Sequence, residues 1–276
     1  MESTTRRVSP GSPDPARLAT AVRVFTTRAP SSRTRSSQVR ADMSRPKARR
    51  RYGPEALVFD TETLPGPAQP LRFLVWRFHR DPTAGDGGVT CVEEGIAYPD
   101  DLPETAPEEL RLLSAYAAAY AASVAPGFPA RLRLEPVSWW LEERLFRYGY
   151  AHRDRCDLVG FNLLFDLGRL ARYWAPAKGD YRGGYSLAFW GDFDESGRWH
   201  DRKHRGRLRL RAIDPRRTLF RWAARGRNDP DPDRGPGRFV DLRTLTFALT
   251  DRSHNLESAC SAFGDPFEKA DVDTQS

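Results

Sequence analysis

Residues Glu55-Ala56-Leu57-Val58-Phe59-Asp60-Thr61-Glu62-Thr63 constrain the fold more than any other stretch of this 276-residue chain. Ala, Leu, Val and Phe in succession read as a buried strand. Alternate residues of a strand share a face, so Asp60 and Glu62 project side by side from its end. Two like charges so placed repel, and they are poorly solvated where they are half-buried. A cation between them relieves both costs, and oxygen donors suit a hard divalent ion. An isolated pair of this kind is more often a strand ending in solvated turn acids. The metal reading therefore depends on what else the chain brings to the same place.

The length suits one large domain with tails. No apolar run approaches the roughly 18–20 residues that span a bilayer, so no membrane partner is expected. Cys91, Cys156 and Cys260 are far apart and form no CxxC pair. A disulfide framework or cysteine zinc site is not expected, and the reducing cytoplasm is the default compartment. The net charge of +7 hides a strong partition. Residues 1–51 hold 13 Arg or Lys against 3 Asp or Glu, and residues 198–227 hold 12 against 2. The rest of the chain is acidic. A basic tail and a basic patch beside an acidic centre fit a polyanion substrate and a metal site.

Residues 1–51 form an Arg/Ser/Pro-rich leader too poor in apolar residues to offset the entropy of ordering, and read as disordered. Three roles stay open for it: an organellar transit peptide, a flexible nucleic-acid arm, or an upstream extension of a chain that starts at Met43. The folded part runs over residues 52–268, with a tail at 269–276. Strands are expected at Ala56–Thr61, Leu71–His79 and Val89–Tyr98, the last two joined by a turn at Ala84–Gly88. Helices are expected at Pro107–Ser123 and Val137–Tyr148, with Trp139 and Trp140 in the core. A strand at Asp157–Phe161 precedes an amphipathic helix at Leu163–Trp174. Tyr185–Trp190 and Arg207–Trp222 read as an inserted basic β-hairpin region. A strand at Arg238–Asp241 leads into helices at Leu242–Leu249 and Asn255–Phe263, the last stopped by Gly264 and Pro266. A meander followed by helix–strand units indicates an α/β fold with a mixed sheet flanked by helices.

A second acidic motif follows about 100 residues after the first, in Gly160-Phe161-Asn162-Leu163-Leu164-Phe165-Asp166-Leu167. Asn162 stands where a helix cap belongs, and Asp166 falls about one turn later. Ligands of open α/β sheets gather at the carboxyl ends of strands, so Asp60, Glu62, Asn162 and Asp166 are expected to share one cleft. "VFDTET" followed by "GFNLLFDLGRLA" resembles the first two motifs of the DEDD 3′–5′ exonucleases, among them the proofreading domains of DNA polymerases. The second motif is most similar to the family-B version, and "FVDLRTLTFAL…NLESACSAFG" resembles the stretch before that family's third motif. The resemblance covers residues 54–268. It implies a ribonuclease H-like fold and hydrolysis of phosphodiesters with two divalent cations, Mg²⁺ or Mn²⁺. Asp60, Glu62 and Asp166 would be the catalytic metal ligands. Asn162 and Phe165 would lie against the terminal nucleotides of a single strand, DNA favoured over RNA.

The third motif of that family sets a Tyr or His a few residues before a fourth Asp, on a helix beyond "NLESACSAFG". The chain is expected to lack that helix, as a fragment, a decayed copy or a product that needs a partner. Asp271 and Asp273 are poor substitutes, because the aromatic before Asp271 is Phe267, which cannot orient a water. Asp241 reads as a helix N-cap and His254 as a loop residue.

In Arg207-Leu208-Arg209-Leu210-Arg211-Ala212 the charges alternate with apolar residues, which puts Arg207, Arg209 and Arg211 on one strand face. Arg216, Arg217 and Arg221 continue the charge. A face of one sign repels itself, and phosphate-backbone contact by these arginines would relieve it. Two other functions compete. One is a nucleic-acid-binding module with an incomplete catalytic set. The other is a phosphatase of the haloacid-dehalogenase type, whose strand motif "VFDTET" resembles superficially. Glu62 stands where that family has Asp, and no later Lys and paired-Asp motif follows.

Overall fold

The computed structural model describes residues 55–80, 90–120, 129, 131–153, 155–214, 217–223 and 237–264. The leader, the turn at Ala84–Gly88, Arg216, Pro266, Asp271 and Asp273 lie outside the described residues.

The chain opens with β1 (Glu55–Thr63), β2 (Leu71–Arg80) and β3 (Thr90–Tyr98), each antiparallel to the one before it, as the meander reading requires. Two helices follow, α1 (Leu102–Thr105) and α2 (Pro107–Tyr120). Pro107 opens α2, with Glu108 and Glu109 in its first turn, which suits both the free N–H groups and the dipole there. Next come β4 (Arg133–Pro136) and α3 (Val137–Trp140), which widens into a π-helix over Leu141–Ala151. β5 (Cys156–Gly160) and α4 (Leu163–Leu170) come after it.

A β-rich region follows, made of β6 (Tyr173–Pro176), a 3₁₀ turn (Gly179–Tyr181), β7 (Tyr185–Ala188), β8 (Gly191–Phe193), β9 (Trp199–Asp201), β10 (Leu208–Asp214) and β11 (Arg217–Trp222). The chain returns through β12 (Arg238–Asp241) to α5 (Leu242–Thr250) and α6 (Leu256–Ala262). Asn255 and Ser258 close a capping box at the start of α6.

The main sheet has six strands in the order β12-β5-β1-β2-β3-β4. β1 is parallel to β5, β5 to β12, and β3 to β4, so β2 alone runs against its neighbours. The architecture is thus a mixed sheet flanked by helices, as expected. The carboxyl ends of β1, β5 and β12 therefore meet at one edge, and α4 and α5 leave from it.

One face of β1 is deeply buried. Leu57 and Phe59 pack with Leu74, Trp76 and Phe78 of β2 and Leu158 of β5 against Trp140, Leu141, Leu145 and Tyr148. The helix comes so close to β5 that a Cβ on Gly149 would meet Leu158 Cδ2 at 2.9 Å. The same core continues into a four-stranded antiparallel sheet, β11-β10-β7-β6, through Trp190, Leu208, Leu210, Phe220 and Trp222. Tyr150 and Trp222 meet edge to face there, with ring centres 5.2 Å apart.

Two expectations are corrected. The amphipathic helix does not reach Trp174: Ala171 is extended, with ψ 125°, and Tyr173 and Trp174 belong to β6. Aromatic contacts favour the strand, since Tyr173 stacks on Trp199 and Trp174 meets Tyr185 edge to face. Trp140 is in the core, but Trp139 is 40% exposed, and the Arg144 guanidinium lies over its ring. Arg144 itself is buried between Trp76 and Trp139 and is paired with Glu93 at 2.9 Å. Among the described residues no helix is long and apolar enough to cross a membrane.

Candidate active site

β1 pairs with β2 along its whole length but with β5 only as far as Val58. Beyond Val58 its β5-facing edge is open, and the second motif closes it. Asp166 reaches from α4 and accepts two hydrogen bonds from Thr61 through Oδ1. One comes from the backbone N at 3.2 Å and one from Oγ1 at 2.7 Å. A carboxylate 105 residues away thus takes the place of a strand partner between Asp60 and Glu62. Thr61 points to the buried face of β1, while Asp60 and Glu62 occupy the opposite, more open one. Asp166 therefore meets the strand at its edge, beside the acidic pair.

Burial dominates the electrostatics. Asp166 is 1% exposed, and its Oδ2 has no hydrogen-bond partner among the described residues. Burial pushes its carboxyl up to about 7; the Thr61 hydroxyl opposes this, and the nearby Asp60 and Asp241 charges add to it. Asp60 is also raised, first by burial and then by Glu62. Asp241, at the end of β12, is raised by burial against the hydrogen bonds it accepts. The acids of β1 and β12 thus add to the cost of ionising Asp166 between them.

Asp241 caps α5 as the sequence predicts, its carboxylate accepting from Arg243 N. It also accepts from Asn162 N at 3.2 Å, which ties the β5–α4 turn to β12. Asn162 departs from its expected role. Its side chain makes no cap, and it takes a left-handed conformation with φ 95°, a region that Asn tolerates better than most residues. The second motif is thus shaped by a strained turn and by Asp241, a link between residues 79 apart that no local pattern announces.

Phe165 is half-buried, with the Arg169 guanidinium 4.8 Å from its ring centre. Arg169 also donates to Ala68 O and Gln69 O, which fixes the β1–β2 loop to α4.

A cleft of about 160 Å³ joins this edge to the basic hairpin, lined by Asn162 and Asp241 on one side and Ala212, Asp214 and Thr218 on the other. A larger cavity of about 430 Å³ lies on the open face of β1, where Asp60 stands among Val58, Val75, Ile96 and Phe161. Its polar lining includes Glu94, which accepts from Arg77 Nε and from the Tyr120 hydroxyl.

The expected arginine row is not uniform. Arg207 is neutralised by Asp201, with its guanidinium over Tyr173. Arg211 donates to Asp180 O, and Arg217 is paired with Asp214. Nearby acids offset two charges, and a backbone carbonyl accepts from a third, where alternation alone would leave all three free. His254 is held between Thr250 and Ser258, as a loop residue should be.

The donor chemistry suits a hard divalent cation: oxygen ligands only, a buried carboxylate oxygen without a partner, and ionisation that a cation would favour. Among the described residues no three His, Cys, Asp or Glu side chains already converge on one point. Comparison with protein-family models, with curated proteins and with solved structures gave no match.

Proposed function

We propose that the chain is a metal-dependent 3′–5′ exonuclease domain of ribonuclease H-like fold, acting on single-stranded DNA or RNA ends. The observation that carries this reading is the seating of Asp166 on Thr61, between Asp60 and Glu62. The strand order, with β2 alone reversed, is compatible with it. Asp60, Glu62 and Asp166 would hold Mg²⁺ or Mn²⁺, which would supply water activation and charge neutralisation at the scissile phosphate. Thr61 holds Asp166 in place with two hydrogen bonds, and Asp241 holds the turn from which α4 departs. Phe165 would stack on a base near the 3′ end, a contact that tolerates any sequence.

A second reading, a nucleic-acid-binding module without hydrolysis, is favoured by one feature: Asp166 already commits Oδ1 to Thr61. Digestion of a 5′-labelled single-stranded oligonucleotide with Mg²⁺ or Mn²⁺ separates the two. The exonuclease produces a shrinking ladder that a blocked 3′ end abolishes. Binding without any ladder would leave the second reading.

A further inference from the structure

Among the described residues the hairpin holds a pair of opposed arginines with no acid beside them. Arg209 and Arg221 lie directly opposite each other on β10 and β11, and Ser186 of β7 completes the same row. Opposed residues of neighbouring strands bring their Cβ atoms within about 4.5–5.5 Å, and like charges so placed are unfavourable. Both arginines are half-buried, so water screens them only in part. Arg202 and Arg205 share Glu142, and Arg207 and Arg217 have their own acids. Among the described residues neither Arg209 nor Arg221 has an ion-pair or hydrogen-bond partner.

The pair does not stand on an open surface. The 3₁₀ turn Gly179–Tyr181 covers the same face, fixed by the Arg211 bond to Asp180 O. Tyr181 is 7% exposed, and both Arg209 and Arg221 act electrostatically on its hydroxyl. A tyrosine hydroxyl can donate to an anion and adds no negative charge of its own. Two guanidinium forks and one hydroxyl are the donor types that bind a tetrahedral oxyanion.

We propose that Arg209, Arg221 and Tyr181 form a phosphate-binding site on the outer face of the four-stranded sheet. Its occupant is a backbone phosphate of the single-stranded nucleic acid whose end enters the acidic cleft. That source rests on the proposed nuclease reading; the oxyanion chemistry does not. The position suits the task. Ala212 and Thr218 line the cleft from the opposite face of the same two strands, three residues or about 10 Å along at ~3.3 Å per residue. β11 is the edge strand, so a nucleic acid leaving the cleft reaches Arg209 and Arg221 round that edge. A phosphate held there anchors the strand outside the cleft without reading its sequence.

The test is made in EDTA, so that cleavage does not enter. A fluorescein-labelled oligothymidylate is titrated against the parent chain and R209Q/R221Q over a range of salt. A charge-matched control, R72Q/R111Q, changes two exposed arginines far along the chain. We expect R209Q/R221Q to bind about tenfold more weakly, with a log–log salt slope shallower by ~0.7 for each phosphate no longer neutralised. The control keeps the parent slope. Thermal unfolding with and without inorganic phosphate gives the second readout. Phosphate should raise the Tm of the parent and not that of R209Q/R221Q. Without phosphate the double variant should melt at or above the parent, because a repulsive pair has been removed.

Phosphate-dependent stabilisation that disappears in the variant, with no oligonucleotide binding by either chain, would support the oxyanion site and refute its nucleic-acid source. Unchanged oligonucleotide affinity, salt slope and phosphate response would overturn the proposal. A variant that melts well below the parent without phosphate would also overturn it, by showing a structural pair.

Discussion

Asp166→Asn should make the protein more stable at alkaline pH while removing its activity. In the fold the Asp166 carboxyl titrates at about 7, against 3.8 for a free aspartate, with burial the leading cause. Between these values the folded state holds a proton that the unfolded chain has released, so stability falls as pH rises through that window. At ~1.4 kcal/mol per tenfold change, ionising this group costs on the order of 4 kcal/mol more in the fold than outside it.

Asparagine is isosteric and keeps an oxygen for Thr61, but it places an amide donor at the unpartnered Oδ2 position, which costs about 1–2 kcal/mol. The net gain near pH 8 is then roughly 2 kcal/mol, a rise in Tm of about 4–8 °C for a domain of this size. Near pH 5 the folded parent is neutral here but its unfolded chain is already ionised, so the gain falls to about 1.6 kcal/mol and the amide cost roughly cancels it; it vanishes only below 3.8. Melting curves across this range test the argument directly. A further arm adds Mg²⁺, which should stabilise the parent near pH 8 more than the variant, because the variant keeps Asp60 and Glu62 but loses the third carboxylate. A variant destabilised equally at both pH values would show that Asp166 is an ordinary capped acid and would refute the reasoning.

Other expectations concern the scaffold. Arg144→Ala removes a buried cation between Trp76 and Trp139, strands the Glu135 carboxylate and leaves Glu93 with Arg133 alone, which should cost about 3–5 kcal/mol in urea unfolding; a loss below about 1 kcal/mol would contradict the buried-network account. Gly95→Ala puts a Cβ 2.6 Å from Arg133 O and 2.8 Å from Trp76 Nε1, so it should lower stability by roughly 1–3 kcal/mol. An unchanged midpoint would mean that β4 yields freely.

The parts of the fold that were legible in the sequence rest on short-range signals. Alternation in Leu71–His79 and the apolar run before Asp60 marked strands, and Asp241 followed by Leu-Arg-Thr marked a cap. The parts that were not legible depend on partners distant in the chain. β4 is four residues long and ends in Pro136, so it carries no period of its own. Tyr173 and Trp174 look like the end of a helix until Trp199 and Tyr185 are set against them. The acid site divides in the same way. The acidic motifs are visible as motifs, but the Thr61 bridge, the left-handed Asn162 and the Asp241 tie exist only once the three strand ends are side by side. The arginine row was visible as charge. Which of its members the fold neutralises depends on Asp201 and Asp214, reached through loops and register, while Arg211 meets only the backbone carbonyl of Asp180.

The central claim is that Asp60 and its neighbours hydrolyse phosphodiesters with a divalent ion. The most direct measurement compares the parent with Asp60→Ala on a 5′-labelled single-stranded oligonucleotide, with Mg²⁺ or Mn²⁺ and with EDTA. The account predicts a metal-dependent ladder shortening from the 3′ end with the parent, and none with Asp60→Ala, while oligonucleotide binding in EDTA stays the same. A ladder of equal rate with Asp60→Ala, or one that persists in EDTA, would contradict it.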